Sequence, residues 1–376
     1  MIIGVQVGPL RYTGVKEVKA MSAELLVRLQ DAHAFDPAPR HAELWRHHVP
    51  FDAMTGNTRC EAALERALRR GERVALVGQS GAGKSSVTAH VLGPLVEGLA
   101  PLTVPVAIES RSVAVDPVAF AGHLVQTVAR YVRHAHPAEQ GRVDRIVGSR
   151  TPRRLSKVSI TPQWLGASVE LTAELDSASA DGPARRSGQE IIEQARQILD
   201  IIAAHGLRPV LVLDDTDTWL SGMAGAEAAQ IRAGFFGRIT RLLAEELAHA
   251  AVLAVHENYL RTAEYSRSDG FIDTTIRLPA VPDATAIGGI LGHRVGEHVR
   301  RFTIDQVITP DALETLQTHY RRGRGRDIRR RVLYVAHTAL ARACDDAAET
   351  IQAVHIDVAI SECAPEVAAR ARPRPT

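Results

Sequence analysis

Cysteine is scarce in this sequence: Cys60, Cys344 and Cys363 are the only three, far apart and without CxxC spacing. That excludes a disulfide framework or a cysteine-based zinc site and matches a reducing cytosol. Long apolar runs are missing too. None approaches the ~18 residues that cross a bilayer, and the N-terminus lacks the charged and apolar regions of a signal peptide. The expectation is a cytoplasmic protein with no membrane partner. Net charge is only +2, which excludes a polycation built throughout for nucleic acid. Lysine occurs only at Lys16, Lys19, Lys84 and Lys157, so nearly all of the 45 basic side chains are arginine. With abundant alanine this reads as the codon bias of a GC-rich bacterial genome, and it makes each lysine stand out.

At roughly 150 residues per domain, 376 residues make two or three units, and 45% hydrophobic residues supply their cores. Residues 1–50 read as an extension with a short apolar start, a helix over 22–30 capped by Ser22, and a connector through Pro50. "NTRCEAALERALRR" (57–70) is amphipathic and ends at Gly71, as a helix should. Apolar runs at 73–78 and 102–108 predict buried strands, and 118–133 has helical spacing. Residues 134–188, rich in Pro, Gly, Ser and Arg, read as an insert. Its "KVSITPQW" and "ASVELTAEL" predict a hairpin, with a flexible arm near "SASADGPARRSG". Helices at 189–205 and 228–249 then alternate with strands at 210–213, 251–255 and 274–278. Beyond Pro282 the pattern is helical, at 283–301, 310–320, 326–345 and 355–362. This order predicts an α/β fold, a parallel sheet sandwiched by helices, followed by a small all-helical domain. The expected bounds are 51–281 for the α/β core, 282–364 for the helical part and 365–376 for a disordered tail.

"GQSGAGKS" (78–85) satisfies G-x-x-x-x-G-K-[ST] between a strand and a helix, the context that the motif requires. Gly78, Gly81 and Gly83 let the backbone curl so that successive N–H groups point at phosphate oxygens, and the helix opening near Lys84 adds its positive end. Lys84 supplies a mobile charge for β- and γ-phosphates, and Ser85 a hydroxyl ligand for Mg²⁺. Gln79, Ser80, Ala82 and Ser86 complete the binding stretch, and ATP with Mg²⁺ is the expected cofactor set. "VLVLDDTD" then places two carboxylates at the carboxyl edge of a buried strand, where open parallel sheets bind ligands. Asp214 is assigned to the magnesium shell and Asp215 to orienting or deprotonating the attacking water. Asp217 is assigned to a cap or to the surface. An Asp at 215 is one methylene shorter than the Glu of many such ATPases, which fits slow hydrolysis.

With these residues in hand, the chain resembles the AAA+ class of P-loop ATPases. Within it the closest look is to the origin-recognition type of initiator, with the STAND group of signal-transducing ATPases behind. The resemblance covers about residues 50–362. "AVLAVHEN" brings His256 and Asn258 to the family's sensor-1 position, and Asn258 is taken as the sensor. "YSRSDGFIDTTIRLPAV" is similar to the Ser-Arg box, which implies Arg267 as an arginine finger acting on a neighbouring subunit's γ-phosphate. Arg261 is the rival, with Arg238 and Arg241 further out. "DATAIGGILGHR" and "ITPDALETL…GRDIRRRVLYVAHTALARA" are similar to the helical lid, implying Arg329 as the sensor-2 arginine. Where the family's lid reads Gly-Asp-x-Arg, this chain has Arg326-Asp327-Ile328-Arg329. The winged-helix DNA-binding domain that follows the family's lid is not expected before Thr376, so DNA binding is not carried over while ATP binding is.

Arg321, Arg322, Arg324, Arg326, Arg329, Arg330 and Arg331 are offset only by Asp327. They read as a sensor arginine plus a solvated helix face ahead of a phosphate-tracking patch, because no aromatics interleave for base stacking. The sixteen histidines are scattered without metal-ligand spacing, so no metal beyond Mg²⁺ is expected. The leading functional expectation is a switch ATPase that hydrolyses ATP to ADP and phosphate to drive conformational change or assembly. Its partner would be a homo-oligomer or another protein, with DNA-linked settings such as replication, transposition or phage defence. The alternative is a nucleotide-stabilised interaction module with little hydrolysis. A small-molecule kinase leaves the late arginines without a role.

Overall fold

The computed structural model describes residues 14–37, 44–51, 54, 59–93, 97–104, 111–148, 187–214, 216, 220, 226–322 and 328–370. Its strands are β1 (Arg73–Val77), β2 (Leu99–Thr103), β3 (Arg208–Leu213), β4 (Ala250–Val255) and β5 (Thr274–Arg277). The first eight helices are α1 (Gly14–Asp31), α2 (Cys60–Arg70), α3 (Lys84–Val91), α4 (Arg111–Val115), α5 (Pro117–Ala135), α6 (Gln140–Val147), α7 (Gly188–Ala204) and α8 (Ala226–Gly234). The last four are α9 (Ala284–Gly296), α10 (Pro310–Arg322), α11 (Ile328–Asp345) and α12 (Ala353–Arg370). They divide into two units, residues 39–280 and residues 1–38 with 281–376.

In the first unit the strands form one sheet in the order β2-β3-β4-β1-β5, and every neighbouring pair is parallel. Successive side chains of a strand point to opposite faces, and both faces are covered. Val74 and Leu76 of β1 join Val210, Val212 and Val252 against Leu64 and Leu68 of α2 and Val87 of α3. Ala75 and Val77 join Leu211, Leu213 and Leu253 against Phe120 and Leu124 of α5, Ile198 of α7, and Phe235 and Phe236. Double burial is why these strands read as continuous apolar runs rather than alternating ones. Two prolines sit where the ladder spares them. Pro101 lies on the edge strand β2, and Pro209 precedes the β3–β4 pairing, which begins at Val210.

Local signals set several helix ends. Gly71, at φ 87, stops α2 in the left-handed region. Asp116 accepts from the N–H groups of Val118 and Ala119 ahead of Pro117, opening α5. Ser187 and Glu190 form a reciprocal capping box on α7. One expectation needs correction. α1 begins at Gly14, so Ser22 is an interior residue rather than a cap. A serine costs a helix only a few tenths of a kcal/mol, and burial of Leu26 and Leu29 outweighs that. Within 134–188, the stretch read as an insert, α6 is helical and buries Val143 against the α5 and α7 cluster. Both expected hairpin strands, in 149–186, lie outside the described residues.

After α8 the chain continues through two π-helical stretches, Phe235–Ile239 and Leu242–Leu247, and ends at Ala248 with φ 53. In the second unit α1 sits with α9–α12. Arg28 Nη2 donates to His298 O at 2.9 Å, and the buried Arg294 donates to Asp36 O at 2.8 Å. Leu291, Leu316, Val335, Ala336 and Ile356 are buried, one or more from each of α9–α12. Among the described residues no helix is long and apolar enough to cross a membrane.

Phe236 is fully buried, with ring contacts to Phe235 at 5.2 Å and Tyr265 at 5.1 Å. Phe236→Ala is expected to cost about 3–5 kcal/mol, read as a lower urea midpoint at unchanged slope.

Candidate nucleotide-binding site

The loop after β1 is shaped by three glycines. Gly78 donates its N–H to Val255 O at 3.1 Å, zipping the loop's entrance to the end of β4. A Cβ at Gly78 would lie 3.1 Å from that of Ala82, so a side chain there crowds the curl. Gly81 and Gly83 have φ of 74 and 94, backbone that L-residues avoid. Ala82 N–H closes the turn on Gln79 O at 3.1 Å, and α3 begins directly afterwards at Lys84. Lys84 is buried, and its Nζ donates to Gly78 O at 2.9 Å and Gln79 O at 3.1 Å. A buried ammonium, a glycine-lined curl and the positive end of an eight-residue helix converge here. That donor set suits a polyphosphate.

The acidic edge lies two strands away. Asp214 follows β3 and is half-buried; two residues on, the buried Thr216 donates its hydroxyl to Ala254 O of β4. Asp215 and Asp217 lie outside the described residues. Because β4 runs between β1 and β3, its carboxyl end emerges between the phosphate loop and Asp214. His256, Glu257 and Asn258 leave from that end. His256 Nδ1 accepts from Asn258 N–H at 3.1 Å, and Asn258 itself is exposed. Glu257, which sequence reasoning passed over, is the residue whose side chain reaches the loop. Its Oε1 accepts from Gln79 Nε2 at 2.6 Å. The available signal was an acidic side chain at the carboxyl end of a central strand.

A second missed group braces the start of α3. His48, buried, meets Ser86 Oγ through Nδ1 at 3.1 Å and Glu61 Oε1 through Nε2 at 2.8 Å. A carboxylate only accepts, so Nε2 carries a proton and donates it to Glu61. Phe51 N–H donates to the same Glu61 oxygen at 2.8 Å. Burial pushes the Glu61 carboxyl upward, but the hydrogen bonds from His48 and Phe51 outweigh it and hold it below its ordinary value. Ser86, one of the expected binding residues, thus ties the loop helix to residues 44–51.

Arg267 is exposed on the 3₁₀ turn Tyr265–Ser268. Its stem lies against Gly237 in the first π-helical stretch, where an added Cβ would be 3.5 Å from its own. The turn is held by the Phe236–Tyr265 ring contact and by Arg232 with Glu264 at 3.3 Å. Of the rival arginines, Arg261 and Arg238 are exposed, and Arg241 is paired with Glu245 at 2.6 Å. Arg329 is half-buried on α11 of the other unit. In the arginine cluster Arg321 donates to Pro282 O at 3.2 Å, Arg322 and Arg330 are exposed, and Arg324 and Arg326 lie outside the described residues.

Glu61 generates a prediction on stability. Its folded value lies below 4.5, so its contribution is complete at neutral pH and fades as acid protonates the folded-state carboxylate. Glu61→Ala is expected to cost about 1–3 kcal/mol at pH 7 and to flatten the loss of stability below pH 4.5, measured by urea unfolding across pH.

No protein-family model matches the chain, and no curated protein does. Among solved structures it is similar to the ORC2 protein of Aeropyrum pernix in its ADPNP–ADP complexes, at 16% identity and TM-score 0.45, covering 81% of this chain and 67% of that one. The ADP form of the same protein aligns at 16% identity and TM-score 0.46, over 80% and 66% of the two chains. Cdc6p from Pyrobaculum aerophilum aligns at 15% identity and TM-score 0.43, over 88% and 70%. This chain spans about two thirds of the length of each of these proteins.

Proposed function

We propose that the chain binds ATP in the cradle after β1 and acts as a switch ATPase of the AAA+ type, converting ATP to ADP and phosphate to change conformation or assembly. The observation that supports this best is the complete phosphate loop with Lys84 buried at the start of α3. The loop N–H groups and Lys84 bind and orient the β- and γ-phosphates. Ser85 and Asp214 would hold Mg²⁺, which supplies charge neutralisation at the transferring phosphoryl group. Asp215 is proposed to orient or deprotonate water, and Asn258 to read the γ-phosphate. Arg267, exposed on a braced turn, suits a finger directed at a neighbouring copy of the chain, and Arg329 a sensor in the helical unit. The partner is then a homo-oligomer or an associated protein, and DNA-linked work such as replication, transposition or phage defence is the setting this reading favours. The short Asp at 215 favours a second reading, an interaction module that holds ATP and turns it over slowly.

Turnover measured across protein concentration, with and without DNA, separates the two readings. A rate per chain that rises with concentration is expected of the assembling switch, and tight binding without turnover at every concentration belongs to the module. Lys84→Ala is expected to weaken ATP binding roughly 10- to 100-fold in a fluorescent-nucleotide titration; wild-type affinity would remove the site. Arg267→Ala is expected to lower turnover about 1,000-fold and to be rescued in mixtures by subunits that carry an intact Arg267 but a disabled Lys84. Absence of rescue counts against action between copies.

A further inference from the structure

The helix that follows the phosphate loop is short and lacks a cap of its own. α3 has eight residues, and its N-cap, Gly83, supplies no side-chain hydrogen bond. A helix of that length is marginal unless tertiary contacts hold it. A side-chain cap would also spend an N–H group of the first turn, and in the nucleotide reading those donors belong to the phosphates. What fixes the start of α3 comes from outside it. His48 meets Ser86 Oγ at 3.1 Å, and its ring lies 4.7 Å from that of His90, one turn further along the same helix. On its other side His48 donates to Glu61 Oε1 at 2.8 Å, in the first turn of α2. Phe51 N–H donates to that same oxygen at 2.8 Å, and the Phe51 ring lies edge-on, 5.8 Å from the imidazole. His48 is 5% exposed and Phe51 fully buried, so this is an interior clamp between two helix starts.

A polar clamp does something that an apolar one does not. Apolar contact is non-directional and tolerates sliding, whereas two hydrogen bonds on one rigid ring set the distance between Glu61 and Ser86. Burying an imidazole and a carboxylate costs free energy that apolar side chains in the same layer would not. That cost has a reason if position matters here. Lys84 and Ser85 directly precede Ser86, so a displaced Ser86 carries the ammonium and the proposed Mg²⁺ hydroxyl with it. A misplacement of about 1 Å in a reacting site can cost about 100-fold.

We propose that His48 is a positioning residue for phosphate binding, locking Ser86 so that Lys84, Ser85 and the first-turn N–H groups of α3 are in place before the nucleotide arrives; this rests on the nucleotide reading above. His48 itself touches no ligand. Its effect passes through Ser86 and reaches the triphosphate rather than the nucleoside, because α3 carries the phosphate-binding groups. Preorganisation of this kind raises affinity by removing an ordering cost from the binding step.

The test uses the full chain with Mg²⁺ and two probes, ATP and inorganic tripolyphosphate, which has neither base nor sugar. Displacement of a fluorescent nucleotide gives both affinities, and thermal melting sets a temperature at which the variants compared are folded. His48→Leu is expected to weaken ATP and tripolyphosphate by the same factor, about tenfold. His48→Gln is expected to recover most of that loss, because its amide can donate to Glu61 while its oxygen accepts from the Ser86 hydroxyl. In a Ser86→Ala background His48→Leu is expected to add nothing, since the link is already cut. Wild-type affinity in folded His48→Leu overturns the proposal. So does full additivity of the two substitutions, which marks an effect that bypasses Ser86. Weaker ATP binding with tripolyphosphate unchanged overturns it as well, because that places the effect at the nucleoside. If His48→Leu does not fold, Ser86→Ala serves the same comparison: equal losses for both probes support the clamp, and unchanged affinity overturns it. A wild-type chain that binds neither probe overturns the nucleotide reading and this proposal with it.

Discussion

The ammonium of Lys84 is the constraint from which the rest of the α/β unit follows. It is buried among backbone, hydrogen-bonded to the carbonyls of Gly78 and Gln79, and a buried charge is expensive unless its surroundings are arranged for it. The arrangement costs conformational freedom along the whole loop: two glycines in left-handed backbone, a third where a side chain would press on Ala82, and a helix that starts on the lysine itself. Such a loop is tolerated only where rigid elements hold it on both sides. β1 supplies one, and the Glu61–His48–Ser86 chain at the start of α3 supplies the other.

Strand order converts that loop into a site. With β4 between β1 and β3, the end of β4 is brought to the phosphate loop by register, Val77 opposite Val255. Thr216 then pins the start of the acidic segment to Ala254. A lysine, a glutamate and an aspartate from three strands thereby converge on one sheet edge. Parallel strands with helical crossovers make this geometry general, because every connecting loop on that edge follows a strand's carboxyl end.

The same unit carries a second rigid surface. The π-helical stretch over Phe235–Ile239 places Phe236 beneath Tyr265 and Tyr259. The turn that bears Arg267 thus rests on aromatic packing and the Arg232–Glu264 pair as well as on its own 3₁₀ hydrogen bonds. π-Helical turns cost regular helix bonding and are kept mostly where a side chain must be aimed. Here the aimed elements are the ring of Phe236 and the bare backbone of Gly237 under the Arg267 stem.

Sequence by itself determined whatever rests on neighbours in the chain. The strands β1, β3 and β4 were legible because burial on both faces makes them apolar throughout. The phosphate loop was legible because its chemistry is contiguous, from Gly78 to Ser85. Helix ends were legible where a glycine acts within a few residues, as at Gly71, and illegible where packing overrides a weak signal, as at Ser22 in α1. Tertiary structure alone decided which distant side chains meet. Gln79 and Glu257 are 178 positions apart, His48 and Ser86 are 38 apart, and no local periodicity links either pair. Their meeting depends on strand order and register, which arise from the collective packing of two apolar layers against one sheet. An exposed Glu at a strand end has the same local pattern whether its neighbour is solvent or a phosphate loop.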